Sequence, residues 1–163
     1  RTLALLVALR RKRSGRVQEK KILILLAAYR GTHYVGEQIE SILAQDCDDW
    51  RLVLSDDGDF TEDILDGYAE RYPEKIVRYR SGLRFGSAKA HFMHLISHFS
   101  ERAPYIMLSD QDDIWHKDKV RRTLSLMKKT ETDFNGPILV HTDLRVVDAS
   151  LHEISPSFFL ILD

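Results

Sequence analysis

Residues 21–28 read KILILLAA, an apolar run with none of the alternation of a half-exposed strand. A strand of this kind is buried on both faces, so it belongs in a parallel or mixed sheet covered above and below. The downstream segments fit that requirement. Residues 34–45 place Val35, Ile39, Ile42 and Leu43 at helical spacing. Residues 51–55 (RLVLS) form a second strand pattern, 61–72 a helix stopped by Pro73, and 75–79 a third strand. Residues 87–101 carry Ala88, Phe92, Leu95, Ile96 and Phe99 on one helical side, then 104–108 return to strand. A helix over 117–129, a fifth strand over 137–141 and a sixth at 144–147 complete the pattern. Strands alternating with helices predict an α/β domain, its sheet mostly parallel, with helices on both faces.

Length and composition narrow the class. A chain of 163 residues holds one domain with a sizeable core. The formal net charge of −1 supplies no global field to recruit nucleic acid. Cys47 is the one cysteine, which excludes a disulfide framework and a cysteine-based zinc site and fits a reducing compartment. The division expected is a basic leader over 1–20, helical or disordered, and one domain over 21–163. The leader joins an apolar stretch, residues 2–9, to a basic run containing Arg10, Arg11, Lys12, Arg13 and Arg16. Eight apolar residues are too few to cross a bilayer. The alternative is the cytoplasmic end of a membrane anchor with its basic flank inside, giving peripheral membrane contact. At the other end Phe158, Phe159, Leu160, Ile161 and Leu162 form an apolar tail, from which a homodimer is expected.

Chemistry concentrates at two strand ends. Asp56-Asp57-Gly58 comes directly after the second strand, and Asp110-Gln111-Asp112-Asp113 after the fourth. In open α/β sheets ligands bind outside the carboxyl ends of strands, so both clusters fall on the binding rim. Close carboxylates repel one another unless a cation or hydrogen-bond donors hold them. Hard oxygen ligands favour Mg²⁺ or Mn²⁺, the former commonly held by one or two carboxylates plus substrate phosphates. The plainer reading is a solvated acidic loop ahead of a helix, and for Asp-Gly a simple turn. The chain has neither GxGxxG nor GxxxxGK(S/T), which argues against a dinucleotide oxidoreductase and a P-loop kinase. No GxSxG elbow occurs. His91, His94 and His98 share one helix, but without a nearby Cys or HExxH they read as surface or packing residues.

Ala27-Ala28-Tyr29-Arg30-Gly31, Ser55-Asp56-Asp57-Gly58 and Ser109-Asp110-Gln111-Asp112-Asp113-Ile114-Trp115, in that order and spacing, resemble the landmarks of family 2 glycosyltransferases. With the downstream HTDLRVVD at 141–148, the chain is most similar to rhamnosyltransferase-like members that act in bacterial surface polysaccharide synthesis. The resemblance implies a GT-A fold and an inverting transfer of a sugar, rhamnose among the candidates, from a dTDP- or UDP-linked donor. The acceptor it implies is a saccharide or lipid-linked saccharide, and the location is the cytoplasm or the inner face of the membrane. It also implies roles. Ala27 and Tyr29 line the nucleobase pocket, and Asp57 accepts from the base N–H with Asp56 beside it. Asp110 and Asp112 form a DxD motif, Asp110 toward the ribose or sugar and both toward a Mn²⁺ or Mg²⁺ ion. Arg84, Lys89 and the 82–86 loop approach the nucleotide and donor sugar, with Arg84 offsetting diphosphate charge.

In the family the catalytic base comes from a segment well past the DxD, so here it is expected beyond Asp163, with the domain ending short of the acceptor half. Asp143 and Asp148 correspond to a structural strand and turn. Three positions depart from the family pattern: Arg30 stands where Asn is usual, Asp59-Phe60 where a Ser-Thr turn is common, and His91 where Asn is frequent. Besides an enzyme, two readings stay open: a catalytically inactive nucleotide-sugar-binding module, and a phosphotransfer or nucleotidyltransfer domain using the same carboxylates.

Overall fold

The structure, a computed structural model, describes residues 5–8, 21–58 and 60–158. Its elements run β1 (Leu5–Ala8), β2 (Ile22–Ala28), α1 (Val35–Leu43), β3 (Trp50–Asp56), α2 (Glu62–Arg71), β4 (Ile76–Tyr79), α3 (Ala88–Phe99), β5 (Tyr105–Ser109), α4 (Lys119–Asp133), β6 (Ile138–His141), β7 (Val146–Val147) and β8 (Glu153–Ser155). A six-stranded sheet has the order β4-β3-β2-β5-β1-β6. The pairs β2–β3, β2–β5 and β3–β4 are parallel, as the apolar run requires.

All seven residues of β2 are buried, and their alternation divides the core in two. Ile22, Ile24, Leu26 and Ala28 face α1, α2 and α4, packing with Val35, Ile39, Ile42, Leu65, Val120 and Met127. Leu23, Leu25 and Ala27 face α3, packing with Leu95 and Phe99. Each fully buried leucine or isoleucine contributes about 1.5–3 kcal/mol relative to exposure, so the central strand anchors the domain.

Two elements differ from the sequence expectation. Leu5–Ala8, expected as helix or disordered leader, is a strand lying antiparallel between β5 and β6, with Leu6 opposite Met107 and Val140. Four apolar residues carry no periodicity long enough to separate strand from helix, and only the sheet supplies the missing backbone partners. The strand expected at 144–147 shrinks to Val146–Val147, which pairs with β8 in a separate two-stranded ribbon. The remainder of the basic leader and residues 159–163, which include most of the apolar tail, lie outside the described residues. Among the described residues no helix is long and apolar enough to cross a membrane.

After β2 the chain leaves through α1 on one face to build β3 and β4, and it returns through α3 on the opposite face to form β5. The loops after β2 and β5 therefore part, and a crevice opens between them at the strand-order reversal.

Candidate functional site: two acidic loops at the switch point

The ladders fix the relative placement of the loops. Ala28 is opposite Asp56 across β2–β3, and Leu26 is opposite Ser109 across β2–β5. Tyr29 thus emerges between the two acidic clusters, with Asp56-Asp57 on one side and Asp110 to Asp113 on the other. Tyr29 is 51% exposed. The Arg30 guanidinium lies 5.2 Å from the ring centroid. The backbone of Arg30 has φ 52°, the left-handed region that Asn tolerates better than Arg, which gives a physical reason for Asn as the usual residue there.

Asp57 is buried and serves as a staple. Its carboxylate accepts from the N–H groups of Phe85 and Gly86, the latter at 2.8 Å. Its own carbonyl accepts from Arg84 Nη1 at 3.1 Å. The loop so held is bracketed by Gly82 and Gly86, at φ 72° and 68°, where a Cβ would be strained. Phe85 stacks on His91, with centroids 4.6 Å apart and planes 12° apart. His91 Nε2 is 2.7 Å from Ser55 Oγ. Burial holds the His91 imidazole neutral, its pKa lowered to about 4. It is a packing histidine, as its sequence context indicated. His94 contacts the Tyr79 hydroxyl at 2.9 Å, and no group of three or more metal-ligating side chains gathers among the described residues.

A cleft of about 250 Å³ opens beside this staple, lined by Asp56, Asp57, Glu62, Arg78, Arg80 and Arg84 among others. Asp56 Oδ1 accepts from the Gly58 N–H at 3.2 Å, while its buried Oδ2 has no partner among the described residues. Burial raises the Asp56 pKa to about 6. Arg78, not singled out by the sequence, is fixed by Asp66 at 2.9 Å and by the carbonyls of Leu54 and Tyr79. Four residues expected at the nucleotide do not line this cleft. Ala27 packs in the α3-side core, Lys89 stands exposed in the first turn of α3, and Tyr29 and Asp110 lie outside its lining.

The second acidic loop rests on polar residues of α1 and of the turn that follows it. Gln38, Ser41 and Gln45 are all buried. With its amide oxygen toward Ser109 Oγ (2.7 Å) and Trp115 Nε1 (3.1 Å), Gln38 donates to the Asp113 carbonyl. The Ser41 hydroxyl accepts from the Trp115 N–H at 3.0 Å. Gln45 donates to the His116 carbonyl at 2.9 Å and accepts from the Val120 N–H at 2.9 Å. These three side chains hold the loop from Ser109 to Val120, and Asp110 and Asp112 stand half-buried at the rim. Asp113 is buried, and its pKa is raised to about 6 by desolvation first and then by the charges of Asp112 and Asp110. No group of three or more carboxylate or imidazole side chains gathers at this loop among the described residues, so a divalent cation would be held by Asp110 and Asp112 and leave its other positions to water or phosphate.

On the far flank of this loop lies a cleft of about 620 Å³, lined by Asp113, Trp115, Lys119, Arg122, Asp143 and Arg145 among others. Lys119 Nζ donates to Thr142 Oγ1 at 3.1 Å and sits 5.1 Å from the Trp115 ring centroid. Asp143 and Asp148 make turns. The former accepts from the Leu144 and Phe158 N–H groups, the latter from those of Ser150 and His152.

A mostly parallel sheet whose switch-point rim carries an exposed aromatic side chain and two carboxylate loops defines an α/β domain with its candidate site at the carboxyl ends of the strands. The chain belongs to the family described as Glycosyl transferase family 2, whose pattern matches residues 23–161. It is 36% identical over 105 residues to the dTDP-rhamnosyl transferase RfbG of Shigella flexneri, covering 63% of this chain and 36% of that protein. It is 30% identical over 135 residues to TuaG of Bacillus subtilis, named as a teichuronic acid biosynthesis glycosyltransferase, covering 79% of this chain and 51% of that one. The chain thus spans between about a third and a half of the length of these two relatives. Among solved structures, S. aureus TarS 1-349 superposes with a TM-score of 0.55 at 17% identity, over 68% of this chain and 33% of that one. The mannosyltransferase PcManGT of Pyrobaculum calidifontis, in complex with GDP-Man and Mn²⁺, gives 0.54 at 19% identity, over 64% and 31%. The fold is that of the GT-A glycosyltransferases.

Proposed function

We propose that this chain forms the donor-binding part of an inverting glycosyltransferase that takes a sugar from a dTDP- or UDP-linked donor. The observation that carries this reading is the placement of Asp56-Asp57 and Asp110-Asp112 on either side of Tyr29 at one rim. The nucleobase stacks on Tyr29. An imide N–H, as in uracil or thymine, is met by Asp57, whose carboxylate has lone pairs beyond the two its loop uses, with Asp56 beside it in the lining of the cleft. Arg84 and Arg80 line the same cleft and would meet the diphosphate, while Arg78 is held on Asp66 beneath them.

A Mn²⁺ or Mg²⁺ ion held by Asp110 and Asp112 would offset charge on the departing diphosphate. This chain's residues supply the rest of that half of the reaction. They bind the base, fix the 82–86 loop through Asp57, and hold the acidic loop on α1 so that its carboxylates need not reorganise when the donor arrives. The name of RfbG supports a dTDP donor carrying rhamnose, and the teichuronic acid biosynthesis named for TuaG supports a saccharide acceptor; a lipid-linked acceptor and action at the cytoplasmic face complete the proposal. The 620 Å³ cleft, across the acidic loop from the nucleotide side, is the place for that acceptor.

The test is calorimetric titration of UDP and dTDP, with and without Mn²⁺, into the wild type and Asp112→Asn. Metal-dependent binding that the substitution abolishes is expected. Equal affinity in both proteins, or no dependence on metal, overturns the reading.

A further inference from the structure

Gln111, between the two DxD carboxylates, makes the contact that joins the two halves of the rim. Its Oε1 accepts from the Tyr29 N–H at 2.7 Å, and its Nε2 donates to the Tyr29 carbonyl at 2.9 Å. The β2–β5 ladder ends at Leu26 opposite Ser109. Beyond that point the main chains diverge, and the Gln111 amide spans the crevice as a side-chain substitute for the next ladder pair. The fit is close: a Cβ added at Gly31 would lie 2.1 Å from Gln111 Oε1 and 2.6 Å from its Cδ. A residue with no side chain at position 31 is therefore a condition of the clasp.

We propose that Gln111 is a positioning residue that couples the nucleobase half of the donor site, carried by Tyr29, to the metal half, carried by Asp110 and Asp112. The proposal rests on the donor-site reading. The physical reason is the doubled contact. Two bonds from one planar amide fix both the distance and the orientation of the Tyr29 peptide relative to the residue between the carboxylates. Whichever ligand orders one loop lowers the cost of ordering the other, so metal and nucleotide each raise the affinity for the other. A bond that merely stabilised the fold would change the melting temperature and scale both affinities together.

The experiment measures the Kd of UDP with and without Mn²⁺ in the wild type, Gln111→Met and Gly31→Ala, with unfolding curves for all three. Methionine keeps the length of Gln111 and lacks both hydrogen-bonding groups. Alanine at position 31 leaves Gln111 in the chain and displaces its amide, so the two variants break one contact from opposite sides. The factor by which Mn²⁺ tightens UDP is expected to fall about tenfold in both, within the usual span of coupling between sites, while metal-free affinity changes less than about threefold. Folded variants that keep the wild-type factor overturn the coupling and leave the donor site standing. Loss in only one variant also overturns it, because the effect would not then run through the contact they share. If one variant fails to fold, the other decides by the same criterion. A wild-type chain that binds UDP without regard to metal removes the donor-site reading and the coupling together.

Discussion

Replacing Gln38 with methionine tests how the acidic loop is held. Gln38 is 0% exposed and meets three groups: Ser109 Oγ, Trp115 Nε1 and the Asp113 carbonyl. Methionine matches its length and volume closely, so no large cavity opens and the apolar contacts of α1 persist. Ser109 keeps a partner, since its hydroxyl also reaches the Asp110 carbonyl at 3.0 Å. The indole N–H of Trp115, itself 4% exposed, and the carbonyl of buried Asp113 lose their bonds to Gln38 without gaining water. A buried polar group left unsatisfied costs about 1–3 kcal/mol, so the pair predicts a loss of about 2–6 kcal/mol. Urea unfolding reads this as a lower midpoint at unchanged slope. The loosened loop should also weaken Mn²⁺-dependent nucleotide binding in the protein that remains folded. A loss below about 1 kcal/mol would refute the reasoning, because the three contacts could not then be what fixes the loop.

Two further outcomes rest on local chemistry. Buried His91 stays neutral down to about pH 4 against an ordinary value of 6.5, so in that window the unfolded chain takes up a proton the folded one refuses. Its contribution to stability is therefore intact above about pH 6.5 and is lost as pH falls toward 4. Asp56, raised from 3.8 to about 6, acts in the opposite sense, its contribution lost as pH rises through 6. The His91 effect is read as the difference between wild type and His91→Gln in unfolding free energy across this range; parallel profiles would contradict it. Phe60 is 74% exposed and has φ 83°, so Phe60→Gly relieves left-handed strain at little loss of burial. After the entropy of the added glycine, a gain of about 0.5–1 kcal/mol is expected from thermal or urea unfolding, and a destabilised variant would count against strain at this turn.

The parts of this protein legible in its sequence are those set by patterns within a few residues of one another. The unbroken apolar run of β2, bounded and short, favours a strand covered on both faces, and the spacing of Val35, Ile39 and Ile42 favours a helix lying on it. Carboxylates directly after β3 and β5 had to fall on the binding rim, because strand ends face that way in a parallel sheet. The partners of those residues were set by folding alone. Leu5–Ala8 is a strand because β5 and β6 offer it backbone on both sides. Gln38 and Gln45 look like ordinary polar residues of a surface helix until a loop more than 70 residues away arrives with groups for them to satisfy. Asp57 reads as a ligand-binding carboxylate, and in the fold it also carries the 82–86 loop. The Gln111 clasp joins positions 82 residues apart. Local sequence specifies which groups a segment can offer, whereas hydrogen bonds of a few ångströms between distant segments depend on how the whole sheet is wound.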